Sequence, residues 1–252
     1  MATIITGKNT VLEAINADHK VYELYCLKGS NSEILKLANS KNIKIKEYDK
    51  FNLSKLLPSH NQGIGALVED YKYTSLDDSI NKNGSNKLFI ILDSIEDPHN
   101  LGAILRSSDA FNVDAVIIPK NRSVKLNSTV AKVSTGAIEY VDVVEVTNLN
   151  QTIKKLKDNG FWIVGTEMDT EKTIHDIDID TNLCIVIGNE GKGITRLVKE
   201  NCDYLVKIPM SGNVNSLNAS VSAALVIYEI YNRRGWEFEV LQTQWLWNYI
   251  PN

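Results

Sequence analysis

Three short stretches of this 252-residue chain concentrate side chains that could do chemistry. The first is Asp97-Pro-His-Asn-Leu-Gly-Ala-Ile-Leu-Arg106. Its Asp-Pro pair favours a turn, Asn100 can cap a following helix, and Gly102 permits close approach. Arg106 can present a planar fork of donors to a phosphate, or can pair with a neighbouring carboxylate such as Asp109. The second is Gly188-Asn-Glu-Gly-Lys-Gly-Ile194, a glycine turn between an apolar run and a helix, which exposes N–H groups to a ligand. It fits neither the phosphate-loop order G-x-x-x-x-G-K-[ST] nor the dinucleotide order G-x-G-x-x-G. Glu190 in that turn also reads simply as a charge at a helix start, stabilising by about 0.3–1 kcal/mol. The third runs from Ile208 to Asn218. Pro209 ends a strand ladder, Gly212 is free to take positive φ, and Asn215 or Ser216 can cap the next helix. Ser216, Asn218, Ser220 and Ser222 are an unusual polar load for a helix start. They fit either a well-capped core helix or a crevice whose polar groups face a ligand. No Ser/His/Asp order is present, and His99 and His175 lack metal-ligand spacing, so neither a hydrolase nor a metal centre is expected.

The elements that must position these residues alternate. From Leu88 onward, near-continuous apolar runs at Leu88–Asp93, Asp114–Ile118, Phe161–Gly165 and Leu183–Ile187 are separated by segments with helical apolar spacing. Such runs, covered by helices on both faces, imply a largely parallel α/β sheet. Ligands of such sheets bind beyond the carboxyl ends of the strands, where Thr166, Gly188 and Ile208 to Gly212 would lie. The last helix carries Leu217, Val221, Ala224, Leu225, Tyr228 and Tyr231 on one face, predicted to be buried. Residues 1–74 read as a separate small αβ unit, and Tyr73 to Lys87 as a linker poor in apolar residues. After Arg234 comes an aromatic-rich tail with Trp236, Phe238, Trp245, Trp247 and Tyr249, read as packing onto the body or a second subunit.

The composition excludes some classes. With 43% hydrophobic residues the chain can bury a sizeable core. No run approaches a membrane span and no signal pattern opens the sequence, so a cytoplasmic protein is expected. Cys26, Cys184 and Cys202 are widely spaced, and read as small hydrophobes rather than a disulfide framework or zinc site. Net charge is −4, but unevenly spread: residues 1–74 hold 10 Lys/Arg against 8 Asp/Glu, the remainder 17 against 23. Any nucleic-acid partner must therefore be held by local patches on an acidic body.

In this order and spacing the three stretches resemble the SpoU (TrmH-like) RNA ribose 2′-O-methyltransferases of the SPOUT superfamily. The carriers are Asn100 to Arg106, Ile185 to Ile194, and Ile208 to Asn218, within residues 88–232. Gly7-Lys8-Asn9-Thr10-Val11 and His60-Asn-Gln-Gly-Ile64 also resemble the ribosomal-protein-like RNA-binding domain of the branch that acts on guanosine in ribosomal RNA. The resemblance implies an RNA-binding domain at 1–74, a linker at 75–87 and a methyltransferase domain at 88–252 that includes the aromatic tail. It implies a mostly parallel sheet whose C-terminal part forms a deep trefoil knot, which chain-threading rules would not suggest. It implies S-adenosyl-L-methionine in that knot, with Thr166, Gly188, Ile208, Met210 and Leu217 as cofactor-binding positions. Asn100, Arg106, Glu190, Ser216 and Asn218 match the catalytic positions. The family assigns Arg106 the role of base. A guanidinium with pKa above about 12 is poor at that task, so a clamp on phosphate and developing alkoxide is kept beside it. The implied partners are RNA, above all large-subunit ribosomal RNA, and a second copy of the chain through the knotted domain, with no metal and no membrane. A transfer-RNA or resistance methyltransferase, a non-catalytic ribosome-assembly protein with this fold, and an unrelated nucleotide-dependent α/β enzyme are the competing readings.

Overall fold

The computed structural model describes residues 2–30, 32–214 and 216–235. Asn215 and the aromatic positions from Trp236 to Tyr249 lie outside them, and with them the expectations placed on those residues.

Among the described residues the N-terminal part is β1 (Ala2–Thr6), α1 (Lys8–Asn16), β2 (Val21–Leu27), α2 (Glu33–Ser40), β3 (Lys44–Tyr48), α3 (Lys50–Leu56) and β4 (Ile64–Glu69). The strands form one sheet in the order β1-β4-β2-β3. β4 is antiparallel to both neighbours and β2 runs parallel to β3. Sequence reading did not anticipate β1. Its five residues show no clear alternation, and its register against Ile64–Glu69 is set by a partner some sixty residues away.

The predicted linker contains a helix, α4 (Leu76–Asn81). Ser75 caps it by accepting the Asp78 amide at 3.1 Å, and Ser79 is buried with its hydroxyl on Asp142. Leu76 and Ile80 pack against the core of the second sheet. The short polar residues that suggested a loop are capping residues, and two apolar side chains suffice to anchor the turn.

The remainder is β5 (Leu88–Asp93), α5 (Pro98–Ala110), β6 (Ala115–Pro119), α6 (Ser128–Val133), β7 (Asp142–Val146), α7 (Leu149–Asp158), β8 (Phe161–Thr166), β9 (Asn182–Gly188), α8 (Arg196–Asn201), β10 (Tyr204–Val206) and α9 (Ala219–Arg233). The sheet order is β10-β8-β9-β5-β6-β7, and every pairing is parallel. The expected parallel α/β sheet is present. β5 shows why its sequence is apolar throughout: Leu88, Ile90 and Leu92 enter the core beneath α5 and α9, while Phe89 and Ile91 enter the opposite core beneath α7 and α8. Burying each such side chain fully is worth about 1.5–3 kcal/mol. β9 lies between β5 and β8, so the connections diverge there and the strand ends open a crevice.

The two sheets meet at a close joint. The His19 ring bridges the Glu139 carboxylate and the Glu69 carbonyl, each at 2.8 Å, and the Tyr140 hydroxyl donates to Glu13 at 2.6 Å. Gly136 has φ +97, and a Cβ there would stand 2.4 Å from the Glu13 Cβ, so the joint leaves no room for a side chain.

Candidate active site

The carboxyl ends of β8, β9 and β10 and the loops that follow them surround a cavity of about 340 Å3. All five positions expected to bind cofactor, Thr166, Gly188, Ile208, Met210 and Leu217, line it, with Glu190 and Ser216 at its margin. Ile187, Val206, Ile208 and Leu217 make one part of its wall apolar, while Glu167, Asn189, Lys192 and Ser222 make another part polar.

The glycine loop after β9 is shaped by its own backbone. Asn189 and Gly193 exchange amide–carbonyl hydrogen bonds at 3.1 and 2.8 Å, closing the loop. A Cβ on Gly188 would sit 2.2 Å from the Gly193 carbonyl carbon, so main chain fills the space of a side chain. The loop is also tied down from β5. The buried Asp93 carboxylate accepts the Thr195 amide at 2.7 Å, and the Asn189 side chain donates to the Ser94 carbonyl at 3.1 Å. Ser94 has φ 66, a left-handed conformation costing on the order of 1 kcal/mol, which aims that carbonyl at the loop.

Glu190 is the centre of a polar cluster. Its Oε1 accepts the Asn100 side-chain amide at 3.1 Å, the Asn218 side-chain amide, and the Ala219 backbone N–H at 3.2 Å. Asn218 also donates to Asn100 Oδ1 at 3.0 Å, closing a ring of three side chains. Residues ninety and twenty-eight positions from Glu190 thus converge on one oxygen. The sequence expectation had Asn100 cap α5. The cap is instead Asp97, which accepts the His99 amide at 2.8 Å, with Pro98 at the first helical position. Asn100, one turn in, is thereby free to reach Glu190. Likewise Asn218, not Ser216, caps α9: its Oδ1 accepts the Ser220 and Val221 amides at 2.9 and 3.3 Å. The extended backbone of Asn218 (φ −56, ψ 144) ends the loop two residues later than expected. Glu190 is therefore held by Asn100 and Asn218, and is not merely a helix-start charge.

Arg106 is placed differently. It is exposed on α5, about 120° around the axis and about 9 Å along it from Asn100. Among the described residues it forms no ion pair, with Asp109 or any other carboxylate, and it does not line the cavity of its own chain. The thiols offer no nucleophile near neutral pH: burial pushes Cys202 up to about 12 and holds Cys184 well above the ordinary thiol range.

A parallel sheet with a cavity beyond its strand ends, and an Asn–Glu–Asn cluster beside it, is the arrangement of an α/β protein built to take a small molecule at that edge. Residues 87–228 match the SpoU rRNA Methylase family, and residues 4–74 match the domain described as RNA 2′-O ribose methyltransferase substrate binding. The chain belongs to the SpoU rRNA methylase family and is an RNA methyltransferase. A Staphylococcus epidermidis relative, designated a TrmH family tRNA/rRNA methyltransferase, is 48% identical over 238 residues, covering 92% of this chain and 96% of its own. The SpoU methyltransferase AviRb from Streptomyces viridochromogenes superposes with a TM-score of 0.80 at 23% identity, covering 92% of this chain and 90% of its own, and is also known in complex with AdoMet. An AdoMet-bound rRNA methyltransferase from Sinorhizobium meliloti gives 0.78 at 19% identity over 92% of this chain and 87% of that one. The A. aeolicus TrmH/SpoU tRNA modifying enzyme gives 0.55 at 28% identity, covering 62% of this chain and 79% of its own.

Proposed function

We propose that this chain methylates the ribose 2′-hydroxyl of a guanosine in large-subunit ribosomal RNA, in the cytoplasm, using S-adenosyl-L-methionine. The observation that carries the reading is the convergence of Asn100 and Asn218 on Glu190 at the margin of the glycine-loop cavity. The ribosomal branch is favoured over transfer RNA because the rRNA methyltransferase of S. meliloti covers 92% of this chain, whereas the tRNA modifying enzyme covers 62%.

The residues present fit the cofactor. The main-chain cradle at Gly188 and the apolar wall of Ile208 and Leu217 suit an adenine, with Thr166 and Met210 adjacent. When bound, S-adenosyl-L-methionine supplies a methyl group on a sulfonium, already a good leaving group. The protein's part is then largely positional. Glu190, fixed by Asn100 and Asn218, shapes the pocket margin, and Ser216 and Asn218 orient the ribose. Arg106 clamps the neighbouring phosphate and the developing alkoxide.

The working unit is a homodimer through the C-terminal part, which we read as a trefoil knot. β9 inserted between β5 and β8, followed by α9 packed over the sheet, supports that path. Val221, Leu225 and Tyr228, expected to be buried, are 46%, 41% and 51% exposed at i, i+4 and i+7 of α9. Such an apolar stripe on a surface helix suits a second copy. The dimer would also bring Arg106 to the partner's pocket, accounting for its absence from its own.

The test is incubation with methyl-labelled S-adenosyl-L-methionine and separate deproteinised large-subunit rRNA, small-subunit rRNA and tRNA, followed by nuclease mapping. Label on one guanosine ribose of large-subunit rRNA is expected. Label on a base, or in tRNA alone, would overturn the assignment.

A further inference from the structure

We propose that the loop joining β6 to α6, with Lys132 on α6, is the phosphate-binding edge along which RNA reaches the pocket. This rests on the RNA-methylating reading above and gives it a docking surface. Residues 120–132 contain Lys120, Arg122, Lys125 and Lys132 and no Asp or Glu, within the acidic part of the chain. The loop starts where β6 ends, on the same edge of the sheet as the pocket.

Two contacts make that edge continuous. The Val124 amide donates to the Ile95 carbonyl at 3.0 Å, tying the loop to the β5–α5 connection that leads to Asn100. Lys132 donates to the Ser59 carbonyl at 3.2 Å, reaching the N-terminal unit. Three residues on, Gln62 accepts the Lys8 backbone amide at 2.8 Å. The path therefore runs from Asn100 across the basic loop to Lys8.

Three of the four cations on this edge, Lys120, Arg122 and Lys132, form no ion pair among the described residues, while Lys125 is held by Glu145. Lys8 likewise forms none among the described residues. Several lysines elsewhere are taken up by carboxylates, Lys41 by Asp18, Lys44 and Lys46 by Glu23, Lys155 by Asp77, Lys157 by Asp203 and Lys199 by Glu167, while others such as Lys154 and Lys172 form no ion pair among the described residues but are scattered. Glu96 and Asp97 are the exposed carboxylates on the adjoining connection. Arg122 has φ 56, a left-handed conformation that long side chains rarely adopt, at an exposed position of the loop. A stretch of cations uninterrupted by carboxylates, on a body of net charge −4, favours a polyanion along this edge.

The experiment compares the parent with Lys120→Ala/Arg122→Asn, and with a control pair Lys154→Ala/Lys172→Ala at exposed positions on α7 and on the connection after β8. Asparagine tolerates the left-handed backbone at 122. Binding of deproteinised large-subunit rRNA is measured against salt by filter retention, without cofactor, so it is read apart from methyl transfer. Each lost phosphate contact lowers the log–log salt slope by about 0.7 on a single strand, so the edge pair should lower it by about 1.4. S-adenosyl-L-methionine affinity should stay at the parent value and the control slope should not change. An unchanged slope in the edge pair, an equal loss in the control pair, or parent protein that binds polyglutamate in place of RNA would overturn the proposal. A slope loss with no methyl transfer by the parent would uphold the edge and defeat the methylating reading instead.

Discussion

Asp93 and Thr195, 102 residues apart, are joined by a 2.7 Å hydrogen bond in which a buried carboxylate accepts a backbone amide. The last residue of β5 thereby fixes the far end of the glycine loop that begins at Gly188. Asp93→Ala would leave that amide unpaired where water is scarce, and should destabilise the protein by about 1–3 kcal/mol. Chemical denaturation checks this. Calorimetry should show weaker S-adenosyl-L-methionine binding under conditions where the variant is still folded. Unchanged cofactor affinity would mean the bond is purely structural.

Glu190 is exposed, so its removal should cost little stability but much rate. Glu190→Ala deprives Asn100, Asn218 and the Ala219 amide of their common acceptor. Misplacement of reacting groups by about 1 Å can cost on the order of 100-fold, and a fall of that size in kcat is expected. Single-turnover methylation assays measure it, with thermal melting as the control for folding.

Arg106 and Glu190 should belong to different chains of one working site. Arg106→Ala and Glu190→Ala should each be inactive alone. Random mixing makes half the dimers mixed, and each has one intact site of two, so about a quarter of parental activity should return. A site built within one chain would give no recovery on mixing after unfolding and refolding together. Leu225→Glu on the exposed stripe of α9 should shift the protein to monomer in sedimentation experiments.

The domain joint should respond to pH through His19. Its hydrogen bond to Glu139 raises its pKa above the usual 6.5, against a smaller opposing effect of burial. A raised folded value means the contribution is complete below about 6.5 and is lost as pH rises through the folded pKa. The parent should therefore exceed His19→Gln in stability by more at pH 6 than at pH 9. Denaturant midpoints at both values decide it, and an equal difference at both would show that the ring is held as a neutral group.

What the sequence disclosed, and what it hid, follows from the reach of each interaction. Runs such as Leu88–Asp93 and Leu183–Ile187 announce buried parallel strands because both faces must be apolar. Asn100, Glu190 and Asn218 were legible through the spacing of three local patterns, but their shared oxygen was not, because no local signal links residues 28 and 90 positions apart. The caps at Asp97 and Asn218 were missed by a few residues, since several Asx and Ser side chains compete for that role within one turn. Asp93 looked like the polar end of a strand, and only the folded loop shows what it holds. α9's outward stripe was mistaken for core because helical periodicity marks an apolar face without saying what covers it.

The anchoring of α4 has a further outcome for how a target is selected. With Leu76 and Ile80 seated in one core and His19 gripping Glu139, the two halves of the protein behave as a caliper of set opening. On the proposed reading, an RNA would be accepted when the feature held by the first jaw lies at the right interval from the nucleotide offered to the second. Lengthening the 70–75 segment, which joins β4 to α4, would then move the methylated nucleotide along the strand while leaving the chemistry intact.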